Sequence, residues 1–130
     1  MPSFSKLSLD RLSTCNPQII EVMQEVIKLY DILIVCGYRN EYDQTKAYES
    51  GASKARWPKS AHNVYPSRAV DIAPYPYSKY KDNVRKHYEM AAYVLEVAGG
   101  LGIKLKWAGN WRIRGVSSLI DLPHFEVELG

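Results

Sequence analysis

Two histidines and two aspartates carry the chemistry open to this chain. His62 ends Ser60-Ala61-His62, Asp71 ends Ala69-Val70-Asp71, and Asp121-Leu122-Pro123-His124 supplies the other pair. Two imidazoles and a carboxylate (His62, His124 and Asp71) match a catalytic zinc site. Three protein ligands leave a fourth position for water, whereas structural sites are closed, usually by four cysteine or histidine ligands. Cys15 and Cys36, the chain's two cysteines, cannot close a thiolate site. A zinc-bound water has a pKa near ~7, and a positioned carboxylate must take its proton and pass it to a leaving group. Asp121 fits that task. Pro123 keeps the residue before it extended, so Asp121 falls on the loop entering the His124 strand, near the metal but not bound to it. The residues point to a small zinc hydrolase.

These side chains need elements to position them. Leu7, Leu9 and Leu12 give a short helix over residues 5 to 14, and Asn16-Pro17 is a cap followed by proline at a first helical position. Ile19, Ile20, Met23, Val26, Ile27 and Tyr30 then recur at helical spacing, predicting an amphipathic helix over 17 to 30. The β-branched run 32 to 37 reads as a buried strand ending at Gly37, and 41 to 51 as a helix stopped by Gly51. Residues 52 to 68 read as a long loop, a length that usually marks function or disorder. A strand over 69 to 73, a helix over about 83 to 98, and strands near 104 to 108 and 124 to 129 follow. In 69 to 73, Val70 and Ile72 share one face and Ala69, Asp71 and Ala73 the other. In 124 to 129, Phe125, Val127 and Leu129 oppose His124, Glu126 and Glu128. Pairing these strands brings Asp71 and His124 to ligand distance, with His62 completing the triad from the loop. Glu126 shares the His124 face and reads either as support for a ligand or as a solvated strand residue, so it stays outside the catalytic set. His87, on the Val84 to Glu89 stretch, reads as solvent-facing. The expected architecture is one α+β domain over residues 1–130, helices packed on a small, mostly antiparallel sheet that carries the zinc site.

Composition narrows the partners. At 130 residues with 46% hydrophobic and 24% charged residues, the chain has ordinary globular composition. A net charge of +3, from 17 basic and 14 acidic residues, is too mild for a dedicated nucleic-acid binder and suits a negatively charged polymer or plain solubility. Cys36, inside Ile32-Leu33-Ile34-Val35-Cys36, reads as a small buried hydrophobe, and the cysteine spacing suggests no disulfide framework. The N-terminal residues hold no apolar stretch resembling a signal peptide, and no window approaches the roughly 20 apolar residues of a membrane span. A soluble protein made in a reducing compartment is expected, and a monomer.

Ser-x-His, Ala-x-Asp and Asp-x-x-His together resemble the zinc peptidases that cut peptidoglycan stem peptides, over roughly three quarters of the chain from Val35 onward. That family includes D-alanyl-D-alanine carboxypeptidases, dipeptidases and phage L-alanyl-D-glutamate endopeptidases that serve as endolysins. The resemblance implies Zn2+ on His62, Asp71 and His124, and Asp121 as the catalytic carboxylate; aspartate there looks like the phage endopeptidase branch. Val35-Cys36-Gly37-Tyr38-Arg39 resembles the family's strand ending in arginine, which assigns Arg39 to substrate binding or to the oxyanion, where a fixed guanidinium offsets developing charge. Ser60 is implied to orient substrate or a ligand. The segment Gly102 to Trp111 resembles the endolysin stretch beside the cleft, so Trp107 and Trp111 either wall the groove or simply pack. One departure stands out. Eight residues, Asn63 to Val70 with no glycine among them, separate His62 from Asp71, more than the family usually has. A loop absorbs extra residues at small entropic cost, though Tyr65, Pro66 and Arg68 would then sit at the cleft mouth.

The resemblance implies bacterial peptidoglycan as the partner and action on the wall after release from the host cytoplasm. A D,D-carboxypeptidase or dipeptidase on the same scaffold is the alternative enzyme. A non-catalytic cell-wall-binding zinc module is the alternative of another class, kept open by the longer loop and opposed by Asp121. A nucleic-acid binder using Tyr75, Tyr77 and Tyr80 is the weakest reading.

Overall fold

The computed structural model describes residues 2–76, 83–108 and 122–128. In chain order these form α1 (Lys6–Leu12), α2 (Pro17–Val26), β1 (Ile32–Cys36), α3 (Glu41–Glu49), a 3-10 turn (Ala61–Asn63), β2 (Ala69–Pro74), α4 (Val84–Gly100), β3 (Leu105–Trp107) and β4 (His124–Val127). The four strands make one sheet in the order β1-β2-β4-β3, with every pairing in it antiparallel. The α+β reading holds.

Local chemistry sets the helix starts. The Ser5 hydroxyl accepts from the Ser8 amide and the Asn16 side chain from the Gln18 amide, so each caps a free N–H at its helix start. Helix α2 stops at Val26, short of the expected residue 30. Beyond it the amides of Lys28 and Leu29 turn back to the carbonyls of Glu25 and Val26, an i to i−3 tightening of the last turn. The buried α2 residues Ile19, Val22, Met23 and Val26 meet Met90, Ala91, Val94 and Ala98 of α4. Val70 and Ile72 of β2 and Phe125 and Val127 of β4 join the same cluster, so both helices cover one face of the sheet.

Two expectations fail here. His87 is buried rather than solvent-facing, with Nδ1 3.0 Å from the Asn83 carbonyl oxygen. It sits three, four and seven residues before Met90, Ala91 and Val94, so helical geometry puts it on the core stripe. Cys36 is only half-buried, and its sulfur accepts from Arg39 Nε at 3.2 Å, so it is a polar contact and not a core hydrophobe. Cys15 is the inert thiol. Burial pushes it up to about 12, and neither cysteine forms a disulfide.

Strand β2 is central, and its second face is covered as well, with Ala69 and Ala73 both buried. Its register with β1 slips after Ile34↔Ile72, so that Cys36 rather than Val35 partners Asp71. Bulges of this kind re-aim the chain beside functional sites. The residue delivered by the slip is Gly37, which lies under the end of α1. A Cβ there would come 2.5 Å from the Arg11 carbonyl oxygen and 3.1 Å from Cys15 Sγ. Only glycine lets β1 exit so close to α1. Gly37→Ala is therefore expected to lower the unfolding free energy by about 1–3 kcal/mol, the usual cost of overpacking. Urea denaturation checks this, and an unchanged midpoint would mean that α1 yields freely.

Candidate metal centre

Pairing of β2 with β4 sets Asp71 directly opposite His124, and the two side chains meet, with His124 Nδ1 3.1 Å from Asp71 Oδ1. His62 arrives from the 3-10 turn, with Nε2 3.4 Å from the same oxygen. Ser60 starts that turn. Its hydroxyl accepts from the His62 amide, and its own amide donates to Asn63 Oδ1. The long loop between the two ligands is tied down at its far end. The Ser67 amide donates to the Thr14 carbonyl and the Arg68 amide to Ala61, so the extra residues do not pull His62 from Asp71. Tyr65 and Pro66 project to solvent, Tyr65 edge-on to Tyr38 with ring centroids 5.4 Å apart.

The outer nitrogens of both rings are fixed. His62 Nδ1 lies 2.7 Å from the Gly37 carbonyl oxygen, an acceptor only, so Nδ1 must donate. His124 Nε2 lies 2.8 Å from Glu126 Oε1 and donates in the same way. In the neutral rings the lone pairs are then on His62 Nε2 and His124 Nδ1, the two atoms facing Asp71. Hydrogen bonds of this type orient metal-binding imidazoles and set their tautomer. His62 Nε2 is also the one buried side-chain polar atom, among the described residues, with no hydrogen-bond partner. One ligand atom from each of His62, Asp71 and His124 lies within 4.8 Å of the others. Ligands about 2.0–2.2 Å from a tetrahedral zinc lie roughly 3.3–3.6 Å apart, so small side-chain movements close the site on an ion. The residues fit zinc.

Electrostatics agree. Burial opposes charge on His62, but the Asp71 carboxylate 3.4 Å from Nε2 and the Cys36 sulfur beside the ring outweigh it and raise the imidazole to about 10. His124 rises to about 9 in the same way, against burial and through Asp71 and Glu126. Burial pushes Asp71 up, yet the two imidazoles win and hold it well below the carboxylate range. The bond to His124 lowers Glu126 against a smaller effect of burial. Both shifts favour the protonated imidazoles beside Asp71, the positions a divalent ion would compete for.

Arg39 lies behind the site. Its Nη2 is 3.2 Å from Asp71 Oδ2, the oxygen turned away from the imidazole nitrogens, and its Nη1 donates to Gln44 Oε1 at 3.3 Å. The structure thus brings Arg39 to a ligand, and Ser60 to the turn that carries one. Trp107 is buried between Tyr88 and Phe125 and donates from Nε1 to the Leu122 carbonyl at 2.8 Å. Of its two sequence readings, packing fits this placement. Trp111 and Asp121 lie outside the described residues. Sequence reasoning left Glu126 out of the site. Strand parity placed it beside His124 but could not distinguish a ligand's partner from a solvated side chain.

A sequence profile for phage L-alanyl-D-glutamate peptidases matches residues 2–128. Comparison with curated proteins gave no match. Among solved structures, the chain is similar to the Serratia marcescens L-Ala D-Glu endopeptidase ChiX, at 22% identity and a TM-score of 0.75, over 97% of this chain and 90% of that one.

Two measurements test the centre. Glu126→Ala removes the partner of His124 Nε2 and is expected to weaken zinc binding about 10–100-fold, read by competition with a chromogenic chelator; an unchanged affinity would make Glu126 a bystander. At pH 7, below both raised imidazole values, each ring holds a proton that zinc must expel. Calorimetry in buffers of differing ionisation enthalpy should show about two protons released per zinc near neutrality, fading as the pH rises through about 9 and about 10. Release of no protons at pH 7 would contradict the charged-imidazole description.

Proposed function

The chain belongs to the phage L-alanyl-D-glutamate peptidase family, and on that premise we propose a division of labour among its site residues. The enzyme is a zinc-dependent endopeptidase of peptidoglycan, acting on the bond between L-alanine and D-glutamate. Support for the residue roles comes chiefly from the two imidazoles, whose outer nitrogens are fixed by Gly37 and Glu126 and whose inner nitrogens converge on Asp71.

His62, His124 and Asp71 would hold the ion, the imidazoles through the nitrogens left free by Gly37 and Glu126. Zinc, when bound, lowers the pKa of water and polarises the scissile carbonyl. Asp121 takes the proton from the attacking water on its carboxylate and returns it to the α-nitrogen of D-glutamate. The C–O bond forms, the C–N bond breaks, and the proton balance closes on the leaving amine. Arg39 keeps Asp71 stationary through Oδ2, and its charge offsets the negative charge developing on the carbonyl oxygen. Ser60 holds the His62 turn and, with Trp111, belongs to the substrate side.

Among the described residues no helix is long and apolar enough to cross a membrane. We further propose that the enzyme acts as a monomer and reaches the wall from the host cytoplasm after another protein opens the membrane.

Digestion of purified Gram-negative peptidoglycan by zinc-loaded protein, with a chelated control, tests this by mass spectrometry. Chelator-sensitive release of stem peptides beginning at D-glutamate is expected. Loss of terminal D-alanine alone would instead assign the site to a carboxypeptidase. Asp121→Ala should keep stoichiometric zinc yet lose about 10²–10⁴-fold in turnover. Loss of the metal in that variant would make Asp121 a ligand.

A further inference from the structure

Helix α3 is docked in an unusual way. Its fully buried residue is not apolar but Gln44, at 0% exposure, while Glu41, Tyr42, Asp43, Thr45 and Lys46 around it are exposed. A helix without an apolar stripe gains little from hydrophobic burial, so something else must fix its place. The Gln44 amide does so with all of its hydrogen-bonding capacity. Nε2 donates to Ser53 Oγ at 2.9 Å and to the Ala55 carbonyl at 2.8 Å. Oε1 accepts from Arg39 Nη1 at 3.3 Å and from Asn63 Nδ2 at 3.0 Å. Two donors and two acceptor lone pairs are all that such an amide has. Its orientation is also determined, since a flipped amide would point N–H groups at the guanidinium of Arg39, which can only donate.

Both partners of Oε1 lead to the metal ligands. Arg39 holds Asp71 Oδ2 at 3.2 Å. Asn63 follows His62 in the 3-10 turn, donates to the Arg39 carbonyl at 3.2 Å, and accepts from the amide of Ser60, the cap of that turn. The Arg39 amide in turn donates to the His62 carbonyl at 2.8 Å. One buried oxygen atom therefore touches the supports of two ligands that come from different parts of the chain.

We propose that Gln44 is a positioning residue of the metal centre, its Oε1 clamping Arg39 onto Asp71 and steadying the turn that presents His62. The proposal rests on the assignment of His62, Asp71 and His124 as the zinc ligands. Gln44 touches neither the ion nor the substrate. It acts by keeping Arg39 and Asn63 where the ligands need them. A buried amide of this kind is costly to leave half-satisfied, so removing it disturbs its partners more than the loss of one bond suggests.

The test is a double-mutant cycle of Gln44→Met and Arg39→Met, read as the zinc dissociation constant, with melting curves to verify folding. Gln44→Met alone is expected to weaken zinc about tenfold and to lower kcat with little change in KM. In the Arg39→Met background the same change should cost no more than about twofold, because its main route to the site is gone. Equal losses in both backgrounds, or wild-type zinc affinity in a folded Gln44→Met protein, would overturn the proposal. Should Gln44→Met not fold, Gln44→Glu keeps acceptors for Arg39 and Asn63 while weakening the link to Ser53 and Ala55. It should melt earlier yet bind zinc within about twofold of wild type; a tenfold loss would show that the loop tether is what matters. His62→Ala runs alongside as the control. If that variant keeps its zinc, the ligand assignment has failed; if it loses zinc while the cycle is additive, only the role of Gln44 has.

Discussion

A carboxylate at the centre of a sheet needs compensation, and the site is organised around the compensation of Asp71. Its two oxygens are divided between jobs. Oδ2 meets the permanent charge of Arg39 at 3.2 Å. Oδ1 faces the inner nitrogens of His62 and His124 at 3.4 and 3.1 Å. An isolated buried carboxylate would protonate instead of ionising, yet here His124 and His62 hold it ionised against burial. Two protonated imidazoles carry the same total charge as a divalent zinc held by two neutral ones.

Backbone placement follows from that constraint. His124 reaches Asp71 because β2 and β4 pair in the one register that puts them opposite; a slip of one residue would turn His124 and Glu126 into the core and Phe125 out of it. His62 reaches it because the bulge in β1 brings the Gly37 carbonyl under the ring, and because a capped turn holds the histidine amide. Each ligand thus has two attachments, one through its backbone and one through the outer atom of its side chain. Catalytic metal centres need this stiffness, since an open coordination position leaves fewer ligands to hold the geometry.

How far the sequence alone leads depends on the kind of interaction. Strand parity is local, so Asp71 and His124 could be read as facing partners and Phe125 and Val127 as core. Residue chemistry is local too, and it marked the three zinc ligands. What escaped reading was set by contacts between distant segments. His87 sits in a charged stretch, but its burial follows from the α4 stripe packing on α2. Cys36 lies in an apolar run, but its environment depends on Arg39 and His62. Gln44 sits in a helix with no apolar pattern, and nothing nearby in sequence indicates that Arg39, Asn63, Ser53 and Ala55 converge on it. The early end of α2 reflects a tightened last turn that helical periodicity does not encode.

The most direct test of the centre is X-ray absorption at the zinc edge of the stoichiometrically loaded protein. The account predicts a first shell of nitrogen and oxygen alone at about 2.0–2.2 Å, with the multiple scattering of two imidazoles. Cys36 is the β1 register partner of Asp71, so a wrong ligand set has a thiol to draw on. A sulfur scatterer at about 2.3 Å, or the signature of fewer than two imidazoles, would contradict a centre built on His62, Asp71 and His124.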